Sequence, residues 1–298
     1  MTPEKAEGTK ALAEERRVRI GKPETKMRRV PFRNDTPVLF TFDVDGPTNW
    51  TSRDEANWER PVLLSGGYYG LERGLERIAD RLARHDALAT FFVPGWIVTQ
   101  IPGVIRDLHD RGHEIALHGW LHEHLEHLSS RNEERDLLQR GVDVMADVVG
   151  LPPRGFRSAG EVTQHTVELL ATLGFEYESE FKDDDWPYRH LDEQGGLGLV
   201  ELPWRFDTDD APYCLFNLYV VGRQFMPNSY IAEIWEAELD GAIGEECAYT
   251  MFVMHPQYTG RLGRISLLER MLSVVEQKPE LKAVRCLDLV TEFASAEM

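Results

Sequence analysis

The chain has 298 residues, long enough for one sizeable α/β domain or two small ones, and its 42% hydrophobic and 10% aromatic content excludes a disordered chain. A formal net charge of −18 repels nucleic acid and anionic membrane surfaces, so neither is expected as a partner. Cys214, Cys247 and Cys286 are too few and too scattered for a disulfide framework or a cysteine zinc site, and no stretch approaches the ~20 apolar residues of a membrane helix.

Residues 1–35 are charged almost throughout, with neither a hydrophobic period nor an apolar run of signal-peptide length. They read as an amino-terminal arm ahead of a catalytic domain over 36–298, and the protein as cytoplasmic. From residue 38 onward, short apolar runs alternate with helix-patterned segments. The strands predicted in chain order are 38–45 (VLFTFDVD), 89–94, 114–119, 154–159, 175–180, 199–204, 249–256 and 283–290 (AVRCLDLV). Helical spacing marks 71–86, 102–112, 130–150, 163–174, 228–244 and 262–277, and Ser130 with Glu133 reads as a capping box opening the third. SGGYYG (65–70) and EQGGLG (193–198) read as loops; neither carries a strand into a helix in the phosphate-binding pattern, so no nucleotide site is expected.

Repeated strand-then-helix order implies parallel strands with helical crossovers, and seven or eight such units favour a barrel over an open sheet. In barrels the chemistry sits at the carboxyl ends of the strands. That rule selects Asp43 and Asp45, which point the same way because strand side chains alternate with period two. Two carboxylates side by side repel unless a cation or proton intervenes; taken by themselves they read equally well as a turn, since Asp45-Gly46-Pro47 is ordinary turn chemistry. His118 ends the third predicted strand and His122 follows four residues later, so two imidazoles and a carboxylate could hold a divalent metal with an open position.

His113 falls at the wrong end of its strand, and His124 and His127 are assigned to a solvated face with Glu123 and Glu126. The strand-end rule also selects His255 in MFVMHPQY and Arg157 in RGFRSAG, a cation suited to orienting a carboxylate or binding an anion. DDWPY (184–188) and its echo DDAPY (209–213) each follow a predicted strand and read as pocket loops, offering Asp185, Trp186, Tyr188, Asp209, Asp210 and Tyr213 to a substrate. Trp120, within HGWLH, is expected to join them.

Together TFDVDG, HGWLH, RGFRSAG and MFVMHPQYTGR, in this order, resemble the polysaccharide deacetylase superfamily (carbohydrate esterase family 4), and more closely its branch of cyclic imide hydrolases, allantoinase-like enzymes and peptidoglycan deacetylase-like proteins. The likeness spans about residues 36–292 and implies an α/β chain folded as a distorted (β/α)7-type barrel. It also implies Asp43 as general base, His255 as general acid, Asp45, His118 and His122 as metal ligands, and Arg157 as the group that orients the base. The implied ion is divalent, zinc most often, with Mn2+, Co2+ or Fe2+ as alternatives.

Two positions depart from the commoner superfamily pattern: Val44 separates the aspartates, as in the imide hydrolase and allantoinase-like branch, and Ala159 stands where a proline is usual. The activity implied is hydrolysis of a non-peptide C–N bond. With no export segment legible, the expected substrate is a small cytosolic amide, imide or ureide; the alternatives are an N-acetyl sugar or peptidoglycan, and a metal-containing binding protein without catalysis. By analogy with the branch, a homo-oligomer is expected.

Overall fold

The computed structural model describes residues 33–191, 197–215, 225–245 and 248–297. Most of the amino-terminal arm, much of EQGGLG, and Cys247 lie outside these. The central strand β1 (Thr36–Asp43) is buried along nearly its whole length, as a strand covered on both faces must be. The other strands are β2 (Thr90–Val93), β3 (Glu114–Leu117), β4 (Gly155–Phe156), β5 (Tyr177–Glu178), β6 (Tyr188–Leu191), β7 (Leu197–Glu201), β8 (Thr250–Met254) and β9 (Leu281–Val284). They form one sheet in the order β6-β7-β5-β4-β3-β2-β1-β8. Except for the antiparallel β6–β7 pair, all its ladders are parallel.

Val38 and Leu39 pair with both β8 and β9, so these flank β1 on opposite edges; β9 therefore shares an edge with β2, below it. This crowding distorts the sheet. A chain segment after β7 continues the wall, since Asp209 bridges in parallel to Val253 of β8 and the Asp210 N–H donates to the Val253 carbonyl at 2.9 Å. The expected distorted (β/α) barrel is the fold found.

Strand alternation sorts the core into two layers. Phe40, Phe42 and Phe91 face the outer helices, whereas Leu39, Phe92, Tyr177 and Met251 face the barrel interior. The outer layer is supplied by α1 (Pro61–Tyr69), α2 (Leu75–Arg84), α3 (Gly95–Gln100), α4 (Pro102–Asp110), α5 (Arg131–Val149), α6 (Thr166–Thr172), α7 (Asn228–Gly244) and α8 (Ile265–Gln277). On α2, Leu75, Ile78, Ala79 and Leu82 form the buried stripe that the 3.6-residue period requires. The Ser130 hydroxyl caps α5 by accepting the Glu133 N–H at 3.3 Å, but Glu133 turns back to the N–H and hydroxyl of Ser129, so the capping box is only half made.

Two expected elements change. Residues 283–290 are not one strand: β9 stops at Val284, and α9 (Cys286–Ala296) begins two residues later. Its first N–H groups donate to Thr90 Oγ1 (Cys286, 3.0 Å) and Glu114 Oε2 (Leu287, 3.0 Å), so a buried carboxylate at the barrel floor satisfies helix-terminal donors. Leu289, Val290 and Phe293 then plug the interior layer from below. SGGYYG is likewise not a loop but the end of α1, running into a π turn over Gly70–Gly74. Its glycines serve close approach: a Cβ on Gly67 would lie 2.4 Å from the Gly46 carbonyl carbon and the Pro47 nitrogen, in the turn that follows the two aspartates. A Gly67→Ala variant is therefore expected to lose about 1–3 kcal/mol of stability through overpacking against backbone, read as a lower denaturant midpoint at unchanged slope.

Candidate active site

The carboxyl ends of β1, β3, β4 and β8 open into a cleft of about 560 Å3, lined among others by Asp43, Asp45, His118, His122, Arg157, Asp209 and His255. A second concavity of about 580 Å3, lined by Trp58, Tyr68, Tyr69, Glu72 and Arg73 among others, has no histidine in its lining and a single carboxylate. The chemistry is therefore sought in the first.

Asp43 ends β1, and Asp45 follows on the same side because the Val44 N–H still pairs with Phe92 at 2.8 Å, carrying the strand's alternation two residues on. The backbone then turns under Gly46, with the Thr48 hydroxyl closing onto the Asp45 carbonyl at 2.6 Å. The stretch is a turn, and both carboxylates ahead of it face the cleft. His118 Nε2 and His122 Nε2 each lie 3.5 Å from Asp45 Oδ1. Two donors each about 2.1 Å from a tetrahedral zinc stand about 3.4 Å apart, so the spacing suits one ion. Asp45 Oδ1 is buried and accepts no hydrogen bond from the described residues, the condition of a ligand atom rather than of a satisfied core carboxylate.

Local structure aims these rings. His118 Nδ1 donates to the Arg157 carbonyl at 2.7 Å, which leaves Nε2 toward Asp45. His122 sits at φ 63°, a left-handed conformation uncommon for a residue with a Cβ, and one that tertiary contacts must hold. Burial pushes the His122 imidazole down to about 4, so it stays neutral and its lone pair is available. Burial also acts against charge on His118, but Asp43 and Asp45 outweigh it and raise that imidazole. For Asp45, burial would raise the carboxyl; the surrounding His122, His255 and His118 rings outweigh it and hold the group below the usual carboxylate range.

Arg157, only 1% exposed, crosses the barrel interior. Its Nη1 donates to Asp43 Oδ1 at 2.8 Å and Thr41 Oγ1 at 3.0 Å, its Nη2 to Ser179 Oγ at 3.1 Å, and its guanidinium lies 4.0 Å from the Phe92 ring centre. The Arg157–Asp43 contact therefore forms although Ala159 replaces the usual proline. On the opposite wall, His255 Nδ1 donates to Asp210 Oδ1 at 2.7 Å, while Asp210 Oδ2 accepts from the His255 N–H at 3.0 Å and the Thr259 hydroxyl at 2.6 Å. His255 Nε2 is thereby turned toward Asp45 Oδ2, 3.8 Å away. Burial lowers the pKa of this imidazole, but Asp210, Asp45 and Asp209 together hold it well above its ordinary value. Asp209 is itself pushed up to about 7 by burial, with Asp210 adding to the effect.

A solved structure of a protein assigned as a polysaccharide deacetylase from Mycobacterium smegmatis superposes at TM-score 0.82 with 32% identity, covering 89% of this chain and 93% of that one. The chain belongs to the polysaccharide deacetylase family. The model of the polysaccharide deacetylase family matches residues 33–178. A peptidoglycan deacetylase of Helicobacter pylori is 24% identical over 288 residues, spanning 86% of this chain and 95% of its own. An allantoinase, PuuE, shares the fold at TM-score 0.76 and 20% identity over 92% of this chain and 94% of its own. As a polysaccharide deacetylase family member, the protein is a hydrolase acting on carbon–nitrogen bonds other than peptide bonds.

Against this family frame, several expected pocket residues lie elsewhere. Trp120 is buried outside the cleft lining, its ring 3.6 Å from the Arg140 guanidinium, because backbone bonds of Gly119 and Trp120 to Gly95 and Trp96 turn it toward α3 and α5. DDWPY does not reach the cleft. Asp185 pairs with Arg205, Trp186 is buried, and Tyr188 starts edge strand β6, its hydroxyl donating to Asp183 at 3.1 Å. Of DDAPY, Asp209 and Ala211 line the cleft; Asp210 stands behind His255, and the Tyr213 hydroxyl donates to the Asp207 carbonyl at 3.0 Å. Conversely His124 and Glu126, set aside as a solvated face, line the cleft with Arg53 and Lys182, neither singled out from sequence. Gln257, two residues past His255, was also missed: its side-chain amide donates to Asp45 Oδ2 at 3.1 Å, and only its place in the same turn as His255 could have flagged it.

No helix among the described residues is long and apolar enough to cross a membrane.

Proposed function

We propose that this chain is a metal-dependent deacetylase that removes the acetyl group from an N-acetylated amino sugar of the peptidoglycan type. The observation that carries the reading is the convergence of Asp43, the Asp45–His118–His122 set and a charged, Asp210-backed His255 in one open cleft. The end-to-end likeness to the Helicobacter pylori peptidoglycan deacetylase adds support for the sugar over the small imide expected from sequence.

Asp45, His118 and His122 would hold the ion, zinc in the first instance. When bound there, a divalent ion supplies Lewis acidity, polarising the amide carbonyl and lowering the pKa of water. Asp43, oriented by Arg157, takes the proton of the attacking water. His255 delivers a proton from Nε2 to the departing amine nitrogen, and Asp210 stabilises the charged ring until it does so. Gln257 positions Asp45, so a Gln257→Ala variant is expected to bind zinc about 10–100-fold more weakly, measured by competition with a chromophoric chelator.

The second reading, ring opening of a cyclic imide or ureide, rests on the Asp43-Val44-Asp45 spacing that the sequence shares with the imide hydrolase and allantoinase-like branch. A cytoplasmic location and homo-oligomeric assembly belong to that reading and are tested by fractionation and light scattering. The discriminating experiment incubates zinc-loaded protein with N-acetylglucosamine oligomers and, separately, with succinimide, hydantoin and allantoin, followed by mass spectrometry. Loss of acetyl from the sugars, abolished by chelation and restored by zinc, is the expected result. Gain of one water on a ring, with the sugars untouched, would transfer the assignment to the second reading.

A further inference from the structure

A second cluster of ligand-type side chains lies at the sheet edge, outside the catalytic constellation. Glu178 of β5 and Glu201 of β7 are directly opposed in the parallel ladder, so their side chains emerge on one face. His190 reaches the same point from β6, the antiparallel edge strand, held between the Phe181 and Tyr188 rings, each 5.5 Å from it centre to centre. One ligand atom from each of the three lies within 4.8 Å of the others, and the three residues are at most 1% exposed. His190 Nε2 is 2.8 Å from Glu178 Oε1 and 3.4 Å from Glu201 Oε2.

The polar accounting does not close with protein groups. Glu201 Oε1 accepts the N–H groups of Glu180 and Phe181, each at 2.9 Å, and its Oε2 faces the cluster centre with a long hydrogen-bond contact of 3.4 Å to His190 Nε2. Both carboxylate oxygens of Glu178, fully buried, accept no hydrogen bond from the described residues; the His190 contact is close but lacks hydrogen-bond alignment. A buried carboxylate left so costs several kcal/mol unless a charge compensates it. A single imidazolium would bring one positive charge to two carboxylates, with the buried Glu180 adjacent to them in chain and space. Two carboxylates and an imidazole are a donor set that zinc accepts.

We propose that Glu178, His190 and Glu201 bind a divalent cation, distinct from the catalytic ion, that pins edge strand β6 to the sheet. Its reach extends to the cleft, because Glu201 also holds the backbone of Glu180 and Phe181, which line the cleft wall. The site has a structural character: its three residues are buried, none of them lines the cleft, and it joins three strands, one of which, β6, pairs within the sheet with β7 alone among the described strands.

The test is zinc stoichiometry on the full chain, stripped by chelator, re-equilibrated with zinc alone, desalted, and quantified by mass spectrometry of the metal. Three proteins are compared: wild type, a Glu178→Gln/His190→Asn double variant, and Asp45→Ala, which leaves the edge cluster intact. Two zinc ions per wild-type chain, one in the double variant and one in Asp45→Ala are expected. Zinc is also expected to raise the melting temperature of Asp45→Ala, and an anomalous-diffraction peak should lie between β5, β6 and β7. One ion in wild type and none in Asp45→Ala would overturn the proposal, as would two ions unaffected by the double variant. One ion in wild type, kept in Asp45→Ala and lost in the double variant, would uphold the edge site while counting against the catalytic one. Should the double variant not fold, Asp45→Ala decides by itself: retained zinc supports the site and its absence rejects it.

Discussion

An Asp45→Ala variant is expected to lose its catalytic ion and all but about a thousandth of its hydrolytic activity, the equivalent of several kcal/mol of Lewis-acid stabilisation at ~1.4 kcal/mol per tenfold. Asp45 is the point on which the proposed ligand set turns: both imidazoles approach its Oδ1 at 3.5 Å, and Gln257 steadies its Oδ2. The fold should survive the change, because the one hydrogen bond that the Asp45 carboxylate accepts among the described residues is that of the Gln257 amide. Zinc content, turnover and circular dichroism measured on the same preparation separate these effects. Full activity with the catalytic ion retained in Asp45→Ala would sink the assignment.

The second large effect concerns His255. Its alanine variant is expected to lose about 10²–10⁴-fold in turnover, the usual contribution of a positioned proton donor. Asp210→Asn is the sharper test, because it acts on the ring's charge without removing the ring. Burial pulls the imidazole toward neutrality, and Asp210 heads the groups that outweigh it and raise its pKa. An acid is competent when protonated, so activity should fall as pH rises through this raised pKa. Removing the Asp210 charge lowers the pKa and moves the alkaline limb of the turnover–pH profile toward lower pH, with activity at low pH less affected than at high pH. An alkaline limb that stays in place would mean that Asp210 only braces the backbone of His255.

How far the sequence could be read depended on the range of the interaction concerned. Asp43, Asp45, His118, Arg157 and His255 sit at or just past strand ends, and strand ends can be located from apolar runs, so the rule that barrels work at those ends picked them out without a structure. The two acidic loops show where that reasoning stopped. DDWPY and DDAPY look alike, yet the second docks on the free edge of β8 through the Asp210 N–H and so meets His255, while the first leads into β6 on the far edge of the sheet. Nothing in either pentapeptide encodes which edge it will meet. SGGYYG was misread for a related reason: its glycines look like chain flexibility, but they are there because a helix must lie against the Gly46–Pro47 backbone.

The amino-acid sequence by itself determined the alternating strand–helix order, the outward and inward faces of β1, and the set of residue types at the strand ends, because periodicity and strand termini are local properties of the chain. Only the tertiary structure decided that Asp210 backs His255, that Gln257 reaches Asp45, that Trp120 turns away from the cleft, and that Glu178, His190 and Glu201 meet. Each of these depends on which distant strands lie edge to edge, and that is settled by burial of the whole core rather than by any one segment.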